Sequence, residues 1–392
     1  MHSKLILLFS LIFLCSCSNN DSENYIDPYV NVEATFGTNI DLDNLKNYAN
    51  QSIPAYITKD NTAGNPITNK GATLGRILFY DKNLSSNNTI SCSSCHQQTH
   101  AFGDSNIASN GVNGTTGRHS MRLINSRFAN ETKFFWNERA INLETQTTMP
   151  IKDHGEMGFS GTNGDEPFGS LIAKLNSISY YKELFKFVYD DDEVTENRIQ
   201  LALAQFIRSI QSFDSKYDLG RAQVANDNQP FPNYSAQENQ GKLLFLTPPV
   251  FDATGNRTSG GLGCAGCHAA PEFDINPNTR NNGIIGTING TGIDITNTRA
   301  PSLRDLVKTD GTPNGPMMHT GVISTLQAAI GHYGTINLAP GNSNLDLRLR
   351  PNGFGQKLNL NAQEVNALIA FLKTLTGSNV YVDAKWSNPF PN

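Results

Sequence analysis

Apolar positions recur at helical spacing in several stretches, and polar, turn-forming residues separate them. From Thr195 to Phe213, the residues Ile199, Leu203, Phe206, Ile207 and Ile210 fall on one face, the signature of an amphipathic helix. From Asn361 to Leu375 a second helix is predicted, with Asn361 as its N-cap, Glu364 at the capping-box position and Gly377 as its stop. The stretch Phe168–Tyr189 divides into two shorter helices. Two more short amphipathic segments are related in sequence: Gly75-Arg-Ile-Leu-Phe79 and Gly241-Lys-Leu-Leu-Phe245. Each feeds a loop and then a cysteine pair, which predicts one helical module used twice. Residues 214–235 are polar, contain Pro and Asn, and read as a linker. Residues 37–70 are turn-rich and wrap the first module, and the Pro-containing tail 378–392 packs back on the body.

One apolar run breaks this pattern. Leu5–Leu14 is ten residues long, too short to span a bilayer as a helix. With Lys4 before it and small residues after it, residues 1–16 read as a secretory signal. The stretch Leu14-Cys15-Ser16-Cys17 resembles a bacterial lipobox, making Cys17 the acylated residue. Residues 17–36, polar from Ser18 to Asn24, then tether the folded body to the lipid. Export places folding in a compartment that permits oxidation. The remaining composition narrows the class. A chain of 392 residues suffices for two domains. A net charge of -5 with 17% charged residues excludes nucleic-acid binding through bulk charge. A hydrophobic content of 38%, with 21 Phe and 12 Tyr, excludes global disorder.

Four cysteines lie outside the export segment, in Cys92-Ser-Ser-Cys95-His96 and Cys264-Ala-Gly-Cys267-His268. CxxCH is the pattern of c-type haem attachment. Two thiols three residues apart form thioethers with the haem vinyl groups, and the next residue points its imidazole at the iron. A zinc ribbon would place its two pairs roughly 15–20 residues apart, whereas these lie far apart in sequence. Disulfides within each pair leave both histidines unexplained, and a thioredoxin-like motif needs a βαβ pattern that is missing. The expected fold is therefore mainly α and loop-rich. It has two cytochrome c-like domains, residues 37–222 and 235–377, each with one covalently bound haem.

The residues after the first haem motif narrow the function. Phe134-Phe135-Trp136-Asn-Glu-Arg139-Ala140, then Gln146, Pro150, Glu156 and Met157, resembles bacterial dihaem cytochrome c peroxidases. Ala300-Pro301-Ser-Leu-Arg304 and Met318-His319-Thr-Gly321 resemble that family's second domain, and the likeness spans roughly residues 70–377. The resemblance implies that the N-terminal haem, with His96 proximal, is the peroxidatic one. Glu156 matches the distal acid–base carboxylate, Gln146 and Pro150 line the same pocket, and Trp136 lies between the haems. His268 is proximal to the C-terminal haem, which passes electrons. The chemistry needs these residue types. Peroxide must lose a proton to bind ferric iron, and that proton must reach the leaving oxygen as the O–O bond breaks. A carboxylate in a mostly apolar pocket does both, with its pKa raised toward the working pH. Gln146 holds peroxide or water by hydrogen bonds, and Trp136 is an oxidisable stepping stone.

The chain also departs from the family pattern. Many members carry a distal histidine that caps the resting first haem. His100 and His119 are the candidates here, and neither sits at the expected position, so an open sixth position is expected. The family's interdomain calcium site uses an Asn near the position of His119. A calcium ion would rely on Asn314 and the Pro316 carbonyl. For the sixth ligand of the second haem, Tyr333 stands where classical family members have Met; a tyrosine there resembles MauG, and His332, Met317 and Met318 are the alternatives. His319 matches a family position as a supporting residue, and His154 has no assigned role.

The reading that results is a cytochrome c peroxidase. It reduces hydrogen peroxide at the His96 haem with electrons from a small periplasmic cytochrome c or a cupredoxin, relayed by the His268 haem. A MauG-like oxidase acting on a protein or organic substrate, and a dihaem electron carrier without catalysis, are the alternatives. A periplasmic-side envelope location, membrane contact only through a lipid, and no nucleic-acid partner complete the expectation. Family members are often homodimers, and no residue pattern here points to one.

Overall fold

The computed structural model describes residues 27–275 and 279–391. The export segment 1–16, Cys17 and the start of the tether lie outside the described residues. Among the described residues the helices are α1 Val30–Phe36, α2 Asn69–Tyr80, α3 Cys92–Cys95, α4 Leu143–Thr148, α5 Phe168–Asn176 and α6 Ser179–Tyr189. They continue with α7 Glu196–Ser209, α8 Lys216–Arg221, α9 Ala236–Leu246, α10 Leu326–Gly334 and α11 Ala362–Lys373. Strands are confined to three two-stranded antiparallel ribbons. No helix among the described residues is long and apolar enough to cross a membrane.

Local chemistry sets the helix ends. The Thr195 side chain accepts from the Arg198 amide to start α7, and the helix stops at Ser209 because Ile210 turns extended. The helix is thus shorter than the Thr195–Phe213 pattern suggests, and Ile210 packs in the core from outside it. In α11 the Asn361–Glu364 capping box forms in both directions. The stretch from Phe168 breaks into α5 and α6 at Ser177 and Ile178.

Among the described residues, the two large hydrophobic cores are each centred on a crossed helix pair, and a small third cluster joins Ile336, Leu345 and Leu349. In the first, α2 crosses α7 at Gly75, where an added Cβ would stand 2.0 Å from the Ala202 carbonyl oxygen and 2.8 Å from the Phe206 Cβ. In the second, α9 crosses α11 at Gly241, where a Cβ would stand 1.9 Å from the Ala367 carbonyl oxygen and 2.9 Å from the Phe371 Cβ. The two related motifs found in the sequence are therefore the two crossing points. Next to each, a phenylalanine pair repeats: Phe79–Phe206 at 5.2 Å and Phe245–Phe371 at 5.3 Å, both tilted by 57°. The obstructing atoms at Gly75 are backbone and cannot rotate away. Gly75→Ala is thus expected to lower stability by about 1–3 kcal/mol, despite alanine's higher helix propensity. Denaturant unfolding of the haem-loaded protein measures it.

The repeat extends into the loops. Asn125 and Asp305, at φ 56° and 52°, donate their amides to Ile210 and Leu375, just past the ends of α7 and α11. The loop 134–140 closes by an amide bond from Phe134 to the Ala140 carbonyl, and 317–323 closes likewise from Met317 to Ile323. Phe135 and Met318 occupy the same left-handed corner, at φ 68° and 70°. Across the junction of the halves the backbone contacts are reciprocal. The His119 amide donates to the His319 carbonyl at 2.8 Å, and the Arg299 amide donates to the Trp136 carbonyl at 2.7 Å.

Three segments differ from or sharpen the sequence reading. The tether assigned to 17–36 is cut short, because α1 buries Val32 and Phe36 in the first core. Its first turn is fixed by Glu183, which accepts from the Asn31 and Val32 amides. The linker 214–235 carries α8, and Tyr217 packs in the second core although the boundary was placed at 222. Apolar burial at Tyr217 and the ion pair of Asp218 with Arg304 hold this stretch against the body. The tail returns to the first half, where Val380 and Trp386 are buried.

Candidate functional site

Each CxxCH lies in a short helical turn, so its two thiols face one side. Cys92–Cys95 is a four-residue helix started by a Ser91–Ser94 capping box, and Cys264–Gly266 is a 3-10 turn. The thiols are not joined in disulfides. Burial pushes Cys92 and Cys264 up to about 12, and Cys95 and Cys267 up to about 11. The histidines that follow are oriented alike. His96 Nδ1 lies 3.1 Å from the Phe102 carbonyl oxygen, and His268 Nδ1 lies 3.0 Å from that of Pro301. A carbonyl only accepts, so Nδ1 carries the proton and Nε2 keeps its lone pair for a metal. Burial lowers both imidazoles, His268 to about 4, so both are neutral at pH 7.

The residues fit the cofactor that the motif implies. A mostly apolar cavity of about 430 Å3 adjoins Cys264, Cys267 and His268 and reaches Trp136, a volume suited to a cofactor. Arg122, Arg280, Arg299 and Arg348 line it, a cationic set matched to haem propionates. Tyr333 lines it, half-buried. Its hydroxyl lies 4.0 Å from the Met318 sulfur, and burial and the nearby Cys267 thiol push the phenol up. Met317 and Met318 also line the cavity, whereas His332 Nε2 is engaged with the Asn282 carbonyl at 2.9 Å. The repeat explains the position of Tyr333. It stands seven residues after the first residue of α10, as Pro150 stands seven after the first residue of α4. The same place in the repeat thus carries a proline in the first half and a phenol in the second.

Near the first haem motif, Glu156 is close enough to Cys92 and Cys95 to raise both thiols. Its backbone is clamped from several sides. Asp153 Oδ1 accepts from the Gly155 and Glu156 amides at 2.8 and 3.0 Å, and the Glu156 carbonyl accepts from Val112 at 3.0 Å. The hairpin strand pressing on it needs Gly111, where a Cβ would meet the Gly155 oxygen at 2.0 Å. Burial first, then the Asp153 charge, pushes the Glu156 carboxyl up to about 7, against an opposing pull from Arg139. Asp153 was not singled out from the sequence, and Arg139 entered only as part of the Phe134–Ala140 motif, with no role. The spacing Asp153-His-Gly-Glu156 is an Asx-turn signal that would have found the first. Gln146 is half-buried on α4, which leads through Pro150 into the loop carrying Glu156.

The other histidines lie elsewhere. His100 Nδ1 approaches the Asn314 carbonyl at 2.6 Å, and His119 Nδ1 approaches the Asn106 carbonyl at 2.9 Å. Asn314, considered for calcium, spends its amide nitrogen on Asp305 and Tyr381. His154 pairs with Asp165 at 2.9 Å, half-exposed. Trp136 is buried at the junction of the halves. Its Nε1 donates to the His119 carbonyl at 2.7 Å, and its ring meets that of His319 edge-on at 6.2 Å.

Residues 69–226 match the profile of a family described as di-haem cytochrome c peroxidase. The chain is 28% identical over 342 residues to the methylamine utilization protein MauG of Methylophilus methylotrophus, covering 85% of this chain and 88% of that protein. It is 28% identical over 317 residues to the cytochrome c551 peroxidase of Nitrosomonas europaea, covering 78% of this chain and 80% of the other. Among solved structures, a MauG-like protein associated with microbial copper homeostasis superposes with a TM-score of 0.67 at 28% identity, over 87% of this chain and 99% of that one.

Proposed function

The chain belongs to the dihaem cytochrome c peroxidase and MauG family, and from that premise we propose that it reduces hydrogen peroxide to water at the His96 site, with electrons relayed through the His268 site. It is an oxidoreductase of the peroxidase type. When bound, the two haems supply the redox chemistry: one activates peroxide and the other stores and passes electrons. The protein supplies proton handling and geometry. The carrying observation is Glu156, on a clamped backbone near the first pair of attachment thiols, its carboxyl pushed up to about 7. In this reading Glu156 takes the first proton of peroxide and returns it to the leaving oxygen. Gln146 orients the oxidant from α4. Trp136, fixed through its Nε1 and facing the second cavity, bridges the two sites.

The engagement of His100 and His119 with backbone carbonyls supports an open distal face at the first site. The electron donor is a small cytochrome c or a cupredoxin, and Cys17 carries the lipid that keeps the protein at the envelope. Steady-state peroxide consumption by the haem-loaded protein, with reduced cytochrome c and no pre-reduction, tests the proposal. Turnover is expected from the resting state, and its complete absence rejects a peroxidase that needs no activation.

Tyr333 favours a second reading, a MauG-like oxidase, because a phenolate ligand holds the second haem at a lower potential than Met does. Tyr333→Met is accordingly expected to raise the potential of one haem and leave the other unchanged, as read by spectroelectrochemical titration.

A further inference from the structure

We infer that Tyr181 and Tyr180, joined through the Asp81 carboxylate, form a redox-active pair that carries oxidising equivalents from the first haem site to the outer face of α6, where a small phenolic reductant supplies the electron. This inference rests on the peroxidase reading.

Tyr181 is wholly buried in the first core. Cys92, one of the two attachment thiols of the first motif, packs against that same core. Tyr180, the next residue, is half-buried, with its ring centroid 4.7 Å from that of Tyr181 at 43°. Both hydroxyls donate to the same oxygen, Asp81 Oδ2, Tyr181 at 2.6 Å and Tyr180 at 2.7 Å. Asp81 is itself buried, and its other oxygen accepts from the Asn83 amide. Burial first, and then the Asp81 charge, pushes both phenols well above their ordinary value, so both are protonated at rest.

A protonated phenol loses an electron readily only if its proton leaves too, and here a carboxylate oxygen stands at hydrogen-bond distance to take it. In the first step one electron passes from Tyr181 to the oxidised first site. The O–H bond breaks, the proton moves to Asp81, and a neutral tyrosyl radical remains. In the second step Tyr180 gives an electron to Tyr181. Asp81 returns its proton to Tyr181 and takes that of Tyr180. In the third step an external phenol gives an electron to Tyr180, Asp81 returns the proton, and the phenol releases its own proton to solvent. The sum is one electron delivered to the first site and one phenoxyl radical plus one proton formed outside. The edge-on contact of Tyr180 with Phe36, at 5.4 Å, places the exit beside α1.

The test uses the protein with both haems attached. It is mixed with one equivalent of peroxide without donor, frozen, and examined by EPR, with a parallel sample containing ring-deuterated tyrosine. A radical signal that narrows on tyrosine deuteration and vanishes in Tyr181→Phe is expected. Guaiacol oxidation is expected to slow several-fold in Tyr180→Phe, with peroxide-dependent cytochrome c oxidation unchanged. Both variants keep their rings, and their haem content checks the fold. A signal indifferent to tyrosine deuteration, or undiminished in Tyr181→Phe, overturns the inference. A haem spectrum that responds to peroxide with no tyrosyl signal overturns it alone, whereas a haem spectrum that does not respond overturns the peroxidase reading with it.

Discussion

Replacing Glu156 with glutamine is expected to lower peroxide turnover by about 10²–10⁴-fold, the usual contribution of a positioned general acid–base group. The amide keeps the shape and can still hydrogen-bond, but it cannot take a proton. The pH dependence adds a sharper signature. With the carboxyl near 7, the base form is lost as pH falls through that value, so the wild-type kcat/KM declines on the acid side. Glu156→Gln should lack that limb. Stability should move the other way. The folded carboxyl stands at about 7 against an ordinary value of 4.5, so between these values the native state binds more protons than the unfolded chain. Folding stability from this group therefore falls as pH rises from about 4.5 to 7, and the deficit persists above. Glu156→Gln removes that deficit, so at pH 8 the variant should resist denaturant at least as well as the wild type. A variant that loses both turnover and stability would show a merely structural glutamate.

The largest effect on stability is expected at Arg304. This side chain is fully buried and grips both Asp218 oxygens, at 2.9 and 3.0 Å, while donating to the Pro271 carbonyl at 3.1 Å. Asp218 is also buried. Burial alone would raise its carboxyl, yet Arg304 holds it below the ordinary value. Arg304→Met leaves that carboxylate without its cation and should cost about 3–5 kcal/mol. The double variant Arg304→Met/Asp218→Leu should recover much of the loss, because it buries no unpaired charge. Denaturant titration of the four proteins in the cycle gives the coupling energy, and strict additivity would contradict the account.

Much of this was legible in the sequence, for identifiable reasons. The CxxCH motifs are local, so spacing alone prescribes which thiols and imidazole share a face. The Gly75 and Gly241 motifs announced a repeat because a helix crossing at backbone distance tolerates no Cβ. The Asn361 cap was legible because capping is decided within one turn. What stayed hidden depends on distant partners. Residues 214–235 read as a mere linker because nothing near Asp218 in sequence reveals Arg304, which meets it from beyond the second haem motif. The tether ran too far because α1 is short, and Val32 and Phe36 become core residues only against α6. The role of Arg139, and Asp153 and the tyrosine pair on Asp81 altogether, escaped notice for the same reason: each acquires its role from a side chain on another element or across a turn.

The reciprocal amide bonds at the junction carry a consequence for the history of the chain. His119 and Arg299 hold equivalent places in the two halves, as do Trp136 and His319. One hydrogen bond joins His119 of the first half to His319 of the second, and the other joins Arg299 of the second half to Trp136 of the first. A residue meeting its counterpart's partner in both directions is the rule of an isologous, two-fold dimer interface. The junction therefore keeps the form of a subunit contact between two copies of one ancestral module, made permanent when they were fused. Fusion released the copies from identity, which a true dimer cannot escape. Pro150 and Tyr333, and Trp136 and His319, are where equivalent places carry different residues and the two-fold relation is broken.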